Sequence, residues 1–161
     1  MIRDATSADA ESCAAIYAPY VRETAITFET EAPDAGAFAE RIAAAQERHA
    51  WLVAEQDGET AGYAYAGPLK PRAAYARSCE TTVYLRQGLR RTGLGRALTE
   101  ALLERVTERG LVRAFACIAL PNEASIGLHH ALGFRDAGVW ERVGFKHDAW
   151  WDVAWLQMDL A

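Results

Sequence analysis

The sequence predicts a mixed β-sheet with helices on both faces, an α/β chain whose strands are arranged in the α+β manner. Three observations carry this. Segments with strand character are interleaved with segments of helical period. A strand, a helix and a strand follow one another mid-chain, the pattern of a parallel pair joined by a crossover. The other strands lie close together in sequence with turn residues between them, as hairpins do.

Residues 2–5 read as a short strand. Ser7 or Asp9 then caps a helix with Cys13, Ile16, Tyr17, Tyr20 and Val21 on one face, the i, i+3, i+4 spacing of an amphipathic helix. Pro33-Asp34 opens a second helix with Phe38, Ile42 and Ala45 along one side. Residues 51–55 and 60–66 form two strands around Asp57-Gly58, a strong hairpin signal. Residues 79–85 are rich in β-branched and aromatic side chains and form a third main strand. A glycine-punctuated loop leads into a helix carrying Leu94, Ala97, Leu98, Ala101, Leu102 and Val106 on one face, stopped by Gly110. Residues 112–119 are a fourth main strand. Pro121-Asn122 caps a short helix that Gly133 ends, and strands near 134–143 and 148–160 complete the chain.

The length, 161 residues, suits a single domain over 1–161. A composition 51% hydrophobic and 24% charged is that of an ordinary soluble globular chain. A net charge of -5 excludes general nucleic-acid binding, which requires a basic surface. Yet Arg86, Arg90, Arg91 and Arg96 fall in one stretch without an acid, a patch suited to a phosphorylated ligand or simply a solvated basic face. Cys13, Cys79 and Cys117 are odd in number and lack a CxxC spacing, so neither a disulfide framework nor a metal site is expected. Met1-Ile2-Arg3-Asp4 runs straight into polar sequence, and no apolar run nears the ~20 residues of a membrane span. The expectation is a cytoplasmic protein without membrane or nucleic-acid partners.

The stretch from Arg86 to Arg96 is the most informative. It follows a strand and opens a helix, whose N-terminus offers unpaired N–H groups and a positive dipole end. Gly93 and Gly95 remove side chains there, so phosphate oxygens can come close, with Arg90, Arg91 and Arg96 adding charge. The Gly-Lys-Ser/Thr of a Walker loop is missing, and the position is wrong for a dinucleotide fingerprint. On spacing alone, a pyrophosphate cradle and a tight helix entry stand about equal.

Arg90-x-x-Gly93-x-Gly95 after a strand resembles the acetyl-CoA signature of the GNAT superfamily of N-acetyltransferases. Asn122 to His129, followed by Leu132-Gly133-Phe134, resembles that superfamily's second cofactor segment. Within the superfamily, Thr24 to Glu29 (TAITFE), Trp51 to Tyr75, Glu80 to Tyr84 (ETTVY) and Gly144 to Trp155 (GFKHDAWWDVAW) resemble the phosphinothricin and methionine sulfoximine acetyltransferase branch. The likeness runs over nearly the whole chain. It implies a GNAT-like fold, a central twisted mixed sheet with splayed parallel strands flanked by about four helices. It also implies acetyl-CoA as co-substrate and no metal. The diphosphate would lie on the N–H groups of Arg91, Thr92, Gly93, Leu94, Gly95 and Arg96. The pantetheine would lie between the splayed strands against Val83, Tyr84 and Leu85, with Asn122 and Ser125 nearby.

Acetyl transfer to an amine requires that the amine lose its proton, since an α-amine has a pKa of roughly 7.7–8.0. Glu80 is the candidate base. A carboxylate inside the apolar strand CETTVYL is costly unless it is paired, faces a cleft or works, and desolvation would raise its pKa into a useful range. His129 is the second catalytic candidate. It stands where the resemblance leads one to expect a tyrosine that protonates the thiolate, and imidazole can give or take a proton. The sequence leaves the direction of transfer between Glu80 and His129 open, and His130 reads as a surface residue. The carbonyl oxygen needs fixed donors, expected as backbone N–H groups at a bulge near Val83 to Leu85.

For the acceptor, the resemblance implies that Arg72 and Tyr75 hold an acidic end, bidentately and by a hydrogen bond, with Lys70 close by; on the residues alone a polar surface loop reads equally well. Phe28 and Glu29 would form another wall, with Lys146 and His147 completing the pocket; Trp150 and Trp151 suit a pocket, a core or a subunit boundary equally. The resemblance implies a homodimer. The favoured reading is direct acetylation, in a ternary complex, of the α-amino group of phosphinothricin, methionine sulfoximine or a related amino acid. Two alternatives stand beside it: a protein N-terminal or lysine acetyltransferase, and a CoA-binding sensor without activity.

Overall fold

A computed structural model describes residues 1–89 and 91–161. One seven-stranded sheet runs through it in the order β1-β2-β3-β4-β5-β7-β6. The strands are β1 (Ile2–Asp4), β2 (Ala50–Gln56), β3 (Glu59–Pro68), β4 (Ser78–Leu85), β5 (Arg113–Ala119), β6 (Arg135–Lys146) and β7 (Ala149–Asp159). The helices are α1 (Ala10–Glu23), α2 (Ala35–Arg48), α3 (Leu94–Glu108) and α4 (Glu123–Ala131), with short 3-10 turns at Ser7–Asp9 and Ala73–Tyr75. Every strand and helix expected from sequence is present. Only β4 and β5 pair in parallel; each other neighbouring pair is antiparallel.

The apolar periods explain the layers. Cys13, Ile16, Tyr17 and Val21 of α1 and Phe38 and Ile42 of α2 bury one stripe each against Trp51, Val53 and Tyr63. Asp34 starts α2 by accepting the Ala37 N–H at 2.8 Å. On the opposite face, Leu98, Leu102, Leu103 and Val106 of α3 pack on Leu52, Ala54, Ala64, Ala66 and Cys79. Successive strand residues thus feed two separate cores.

Two irregularities position the site. Asp57 and Gly58 take positive φ (54° and 79°), the two-residue turn the sequence announces. A register shift then falls between Ala54 and Glu55, so Trp51 pairs with Tyr65. The second is an opening. β4 and β5 pair only from Ser78↔Arg113 to Glu80↔Phe115, although β4 continues to Leu85 and β5 to Ala119. β6 lies outermost and is exposed along most of its length, with a register jump between Trp140 and Gly144. Arg142 sits there at φ 50° and donates its N–H to the Asp152 carboxylate at 2.7 Å. Among the described residues no helix is long and apolar enough to cross a membrane.

Candidate active site

The opening lies on the far edge of β4. The Arg86 N–H bonds to the Ala61 carbonyl at 2.8 Å, and the β3–β4 register is unbroken from Gly62↔Leu85 to Pro68↔Cys79. Antiparallel alternation then turns the amides of Glu80, Thr82 and Tyr84 toward β3, and those of Val83 and Leu85 toward the gap. This corrects two expectations. There is no bulge at 83–85 in the β3–β4 ladder, because alternation alone presents the donors. Tyr84 does not face the gap: its side chain packs among Tyr17, Tyr20 and Tyr63. The Leu85 carbonyl accepts the Tyr20 hydroxyl at 2.6 Å.

The helix mouth lies at the end of the gap. Gly93 caps α3 at φ 74°, and a Cβ there would meet nothing within 4 Å. The Leu94 N–H leans on Thr92 Oγ1 at 3.3 Å, and Ala97 bonds back to the Gly93 carbonyl. Helical geometry leaves the Gly95 and Arg96 amides without intrahelical acceptors. The arginine patch is less free than its sequence suggests, since Glu100 holds Arg96 and Glu59 holds Arg86, each at 2.8 Å. Arg91 is exposed at φ 57°, and Arg90 lies outside the described residues. Asn122 accepts the Ser125 N–H at 3.2 Å, a helix cap.

Glu80 is half-buried on the α1/α2 face, and desolvation raises its carboxyl above the usual range while nearby Lys70 moderates the rise. His129 is buried on the α3 side of the sheet, edge-on to Phe134 at 5.0 Å. Its Nδ1 lies 2.7 Å from the Ser125 carbonyl, which can only accept. The neutral ring therefore carries its proton on Nδ1 and a lone pair on Nε2. Burial lowers its pKa, so it is neutral at neutral pH. The structure does not bring Glu80 and His129 into contact, and among the described residues no hydrogen bond joins them. His130 is a surface residue bonded to Asp136 at 2.8 Å.

A cavity of about 520 Å³ opens between α2 and the segment after β3. Lys70, Arg72 and Tyr75 line it together, on a floor of Trp51, Tyr65 and Gly67. Arg41, absent from the sequence reading, lines it too and is held by Glu29 at 2.8 Å. The other carboxylate oxygen of Glu29 is buried without a partner. Phe28 covers Gly144, where a Cβ would lie 2.2 Å from its ring. Phe28, Glu29, Lys146 and His147 do not line the cavity, contrary to expectation, and Glu29 reaches it only through Arg41. Lys146 is buried and donates to the Thr27 carbonyl at 2.8 Å, tying the α1–α2 loop to β6; His147 occupies the β6–β7 turn at φ 52°. Burial pushes the Cys13 and Cys79 thiols up to about 12; Cys117 is exposed, and partial desolvation with the neighbouring Glu80 charge also raises its thiol, so none is a ready nucleophile. Among the described residues no three His, Cys, Asp or Glu side chains gather as metal ligands.

A sheet split between two parallel strands, with a bare helix mouth at one end and a cationic cavity beside it, defines a class. Residues 2–155 match the family described as the acetyltransferase (GNAT) domain, and the chain belongs to that family of N-acetyltransferases. Among its relatives is the phosphinothricin N-acetyltransferase of Streptomyces viridochromogenes, 39% identical over 99% of this chain and 87% of that protein. Another is the L-methionine sulfoximine/L-methionine sulfone acetyltransferase of Pseudomonas aeruginosa, 39% identical over 99% of this chain and 94% of that one. The crystal structure of a phosphinothricin acetyltransferase from Sinorhizobium meliloti in complex with acetyl-CoA superposes with a TM-score of 0.96. It is 35% identical and covers 100% of this chain and 88% of that one.

Proposed function

We propose that residues 1–161 form one acetyl-CoA-dependent domain. It acetylates the α-amino group of a small amino-acid-like acceptor such as phosphinothricin, methionine sulfoximine or a related amino acid. Transfer is direct, within a ternary complex. The observation that carries this reading is the cationic cavity whose floor residue Gly67 pairs with Glu80, on the strand that parts from β5 just beyond it. In a host exposed to phosphinothricin, the reaction would register as herbicide resistance. We place the enzyme in the cytoplasm.

The residues present fit acetyl-CoA. An opened strand edge suits an amide-rich arm, which can pair with the Val83 and Leu85 groups as another strand would. The α3 mouth suits a diphosphate, with Arg91, Thr92, Gly93, Leu94, Gly95 and Arg96 around it and Asn122 and Ser125 across the gap. When bound, the cofactor supplies an acetyl thioester. Lys70, Arg72 and Tyr75 grip the acceptor's acidic group, with Arg41, held by Glu29, on the same wall. Glu80 takes a proton from the acceptor ammonium, directly or through one water. The Val83 and Leu85 N–H groups stabilise negative charge on a carbonyl oxygen. His129, neutral with Nε2 open, accepts a proton before it can give one, so it serves as a relay rather than a standing acid.

A thiol-release assay with acetyl-CoA against a panel of amino acids tests the reading. Turnover is expected with phosphinothricin or methionine sulfoximine, and silence across the panel would remove the acceptor assignment. In the same assay Arg72→Ala is expected to raise KM for acidic acceptors by about tenfold or more, the loss of a charge-assisted pair. KM for acetyl-CoA should stay put; equal rises in both would take Arg72 out of the acceptor site.

The chain is also proposed to be a homodimer. Val139, Trp140, Val143, Phe145 and Trp150 are each about half exposed along β6 and the start of β7, an apolar edge of the kind subunits cover. Light scattering is expected to give twice the chain mass, and Trp140→Glu with Phe145→Glu to give the single mass. A wild-type monomer at micromolar concentration would refute this.

A further inference from the structure

One titratable side chain in the cavity has no part in the reaction just described. His49 follows the last residue of α2 and precedes β2, its N–H bonded to the Ala45 carbonyl at 2.8 Å. Its ring is buried and lines the cavity. Among the described residues no hydrogen bond or ion pair reaches either ring nitrogen, and neither belongs to the atoms sealed from solvent without a partner. The polar edge of the ring therefore meets open space.

The cavity floor relates that edge to Glu80. Ala50 pairs with Ala66, and His49, which precedes the strand, lines the cavity together with Gly67. Gly67 in turn pairs with Glu80. Trp51, Tyr65, Gly67 and Glu80 share one face by alternation, the face that carries the cavity floor, and His49 lines the cavity above it. A Cβ on Gly67 would meet nothing within 4 Å. Gly67 thus leaves a bare strip on the cavity floor between the His49 end and the strand that carries Glu80.

We propose that His49 reads the far end of the acceptor, binding a polar group at the end of its side chain remote from the amine that Glu80 deprotonates. This rests on the acceptor reading above and narrows it. Amino acids whose side chain ends in an oxo, imino or anionic group are selected over short or apolar ones. A neutral imidazole donates at one nitrogen and accepts at the other, so it serves both oxygen and imino ends. Burial first, then Arg109 and Arg48, disfavour a charge on His49, so it meets the ligand as a neutral ring; Arg48 and Glu47 both stand on the cavity wall beside it.

The test compares wild type, His49→Ala and His49→Gln with phosphinothricin, methionine sulfoximine and alanine as acceptors. The alanine substitution is expected to raise KM for the two long acceptors about tenfold, with kcat and the KM for acetyl-CoA unchanged within about twofold. Glutamine should restore part of the loss, and alanine should remain a poor acceptor throughout. An unchanged KM for both long acceptors in a folded His49→Ala overturns the proposal. Because the ring is buried, a second measurement uses the wild type alone: the His49 Cε1–H resonance, assigned by its loss in His49→Gln, should shift on titration with phosphinothricin in the presence of CoA. No shift at either long acceptor's highest concentration also overturns it. If wild type shifts but transfers to nothing in the panel, the acetylation reading fails while the placement of His49 stands.

Discussion

Glu80→Gln is expected to lower kcat for acceptor acetylation by about 10²–10³-fold while leaving acetyl-CoA binding intact. The amide keeps the shape and much of the hydrogen bonding of the carboxylate and loses only its basicity. In wild type, kcat/KM should rise with pH through the ionisation of Glu80, which burial has raised; in the variant that limb should vanish. The stability effect has the opposite sign. A carboxyl whose folded pKa is raised contributes stability that is fully present below its unfolded value, near 4.5, and is lost as pH rises through the folded value. At pH 7 the ionised side chain is therefore a burden on the fold, and Glu80→Gln should melt no lower than wild type. Wild-type turnover across pH in the variant would exclude Glu80 as the base; a large drop in melting temperature would contradict the burial argument.

Trp51→Ala is expected to cost about 3–5 kcal/mol of folding stability, read as a fall in the urea midpoint at unchanged m-value. Trp51 is 1% exposed, stacks on Tyr65 at 4.3 Å and on Tyr63 at 5.2 Å, and meets Phe38 edge-on at 6.0 Å. Its indole N–H points toward the Cys13 thiol without hydrogen-bond geometry. The loss is thus one of apolar packing, and the value should lie toward the lower end of the range. The same residue floors the acceptor cavity, so the folded variant should also bind acceptors more weakly. A cost below about 1 kcal/mol would mean that the aromatic stack is not the close-packed unit described.

Much of this was legible in the residues, because the informative signals were local. Periodicity located the helices, Asp57-Gly58 the hairpin, and a lone carboxylate in an apolar strand the candidate base. What escaped depends on relations between distant segments. Counting back from the Asp57-Gly58 turn along an unbroken ladder pairs Trp51 with Ala64. The shift at Ala54/Glu55 moves it onto Tyr65, so a one-residue irregularity with no sequence signature builds the cavity floor. Arg41 was missed because its partner, Glu29, lies on the preceding loop, and His49 because a histidine at a helix end reads as a cap residue. Lys146 was misplaced for the converse reason: a lysine next to a turn looks solvated, and only the fold reveals that Thr27 lies over it. The exposed edge formed by β6 follows from β7 inserting between β5 and β6, an order that no local pattern encodes.

Three parallel pairs, from Ser78↔Arg113 to Glu80↔Phe115, stitch the two halves of the sheet at its centre, with the Val112 N–H on the Arg77 carbonyl at 2.9 Å just before them. Beyond them the strands are held apart by the α3-side core, in which Val83, Leu85, Ala116 and Ile118 pack as one cluster. The energetic cost of leaving main-chain groups unbonded in mid-sheet is therefore met when the chain folds, not when a ligand arrives. A guest entering the cleft displaces only water and breaks no strand pairing, which is the thermodynamic meaning of preorganisation.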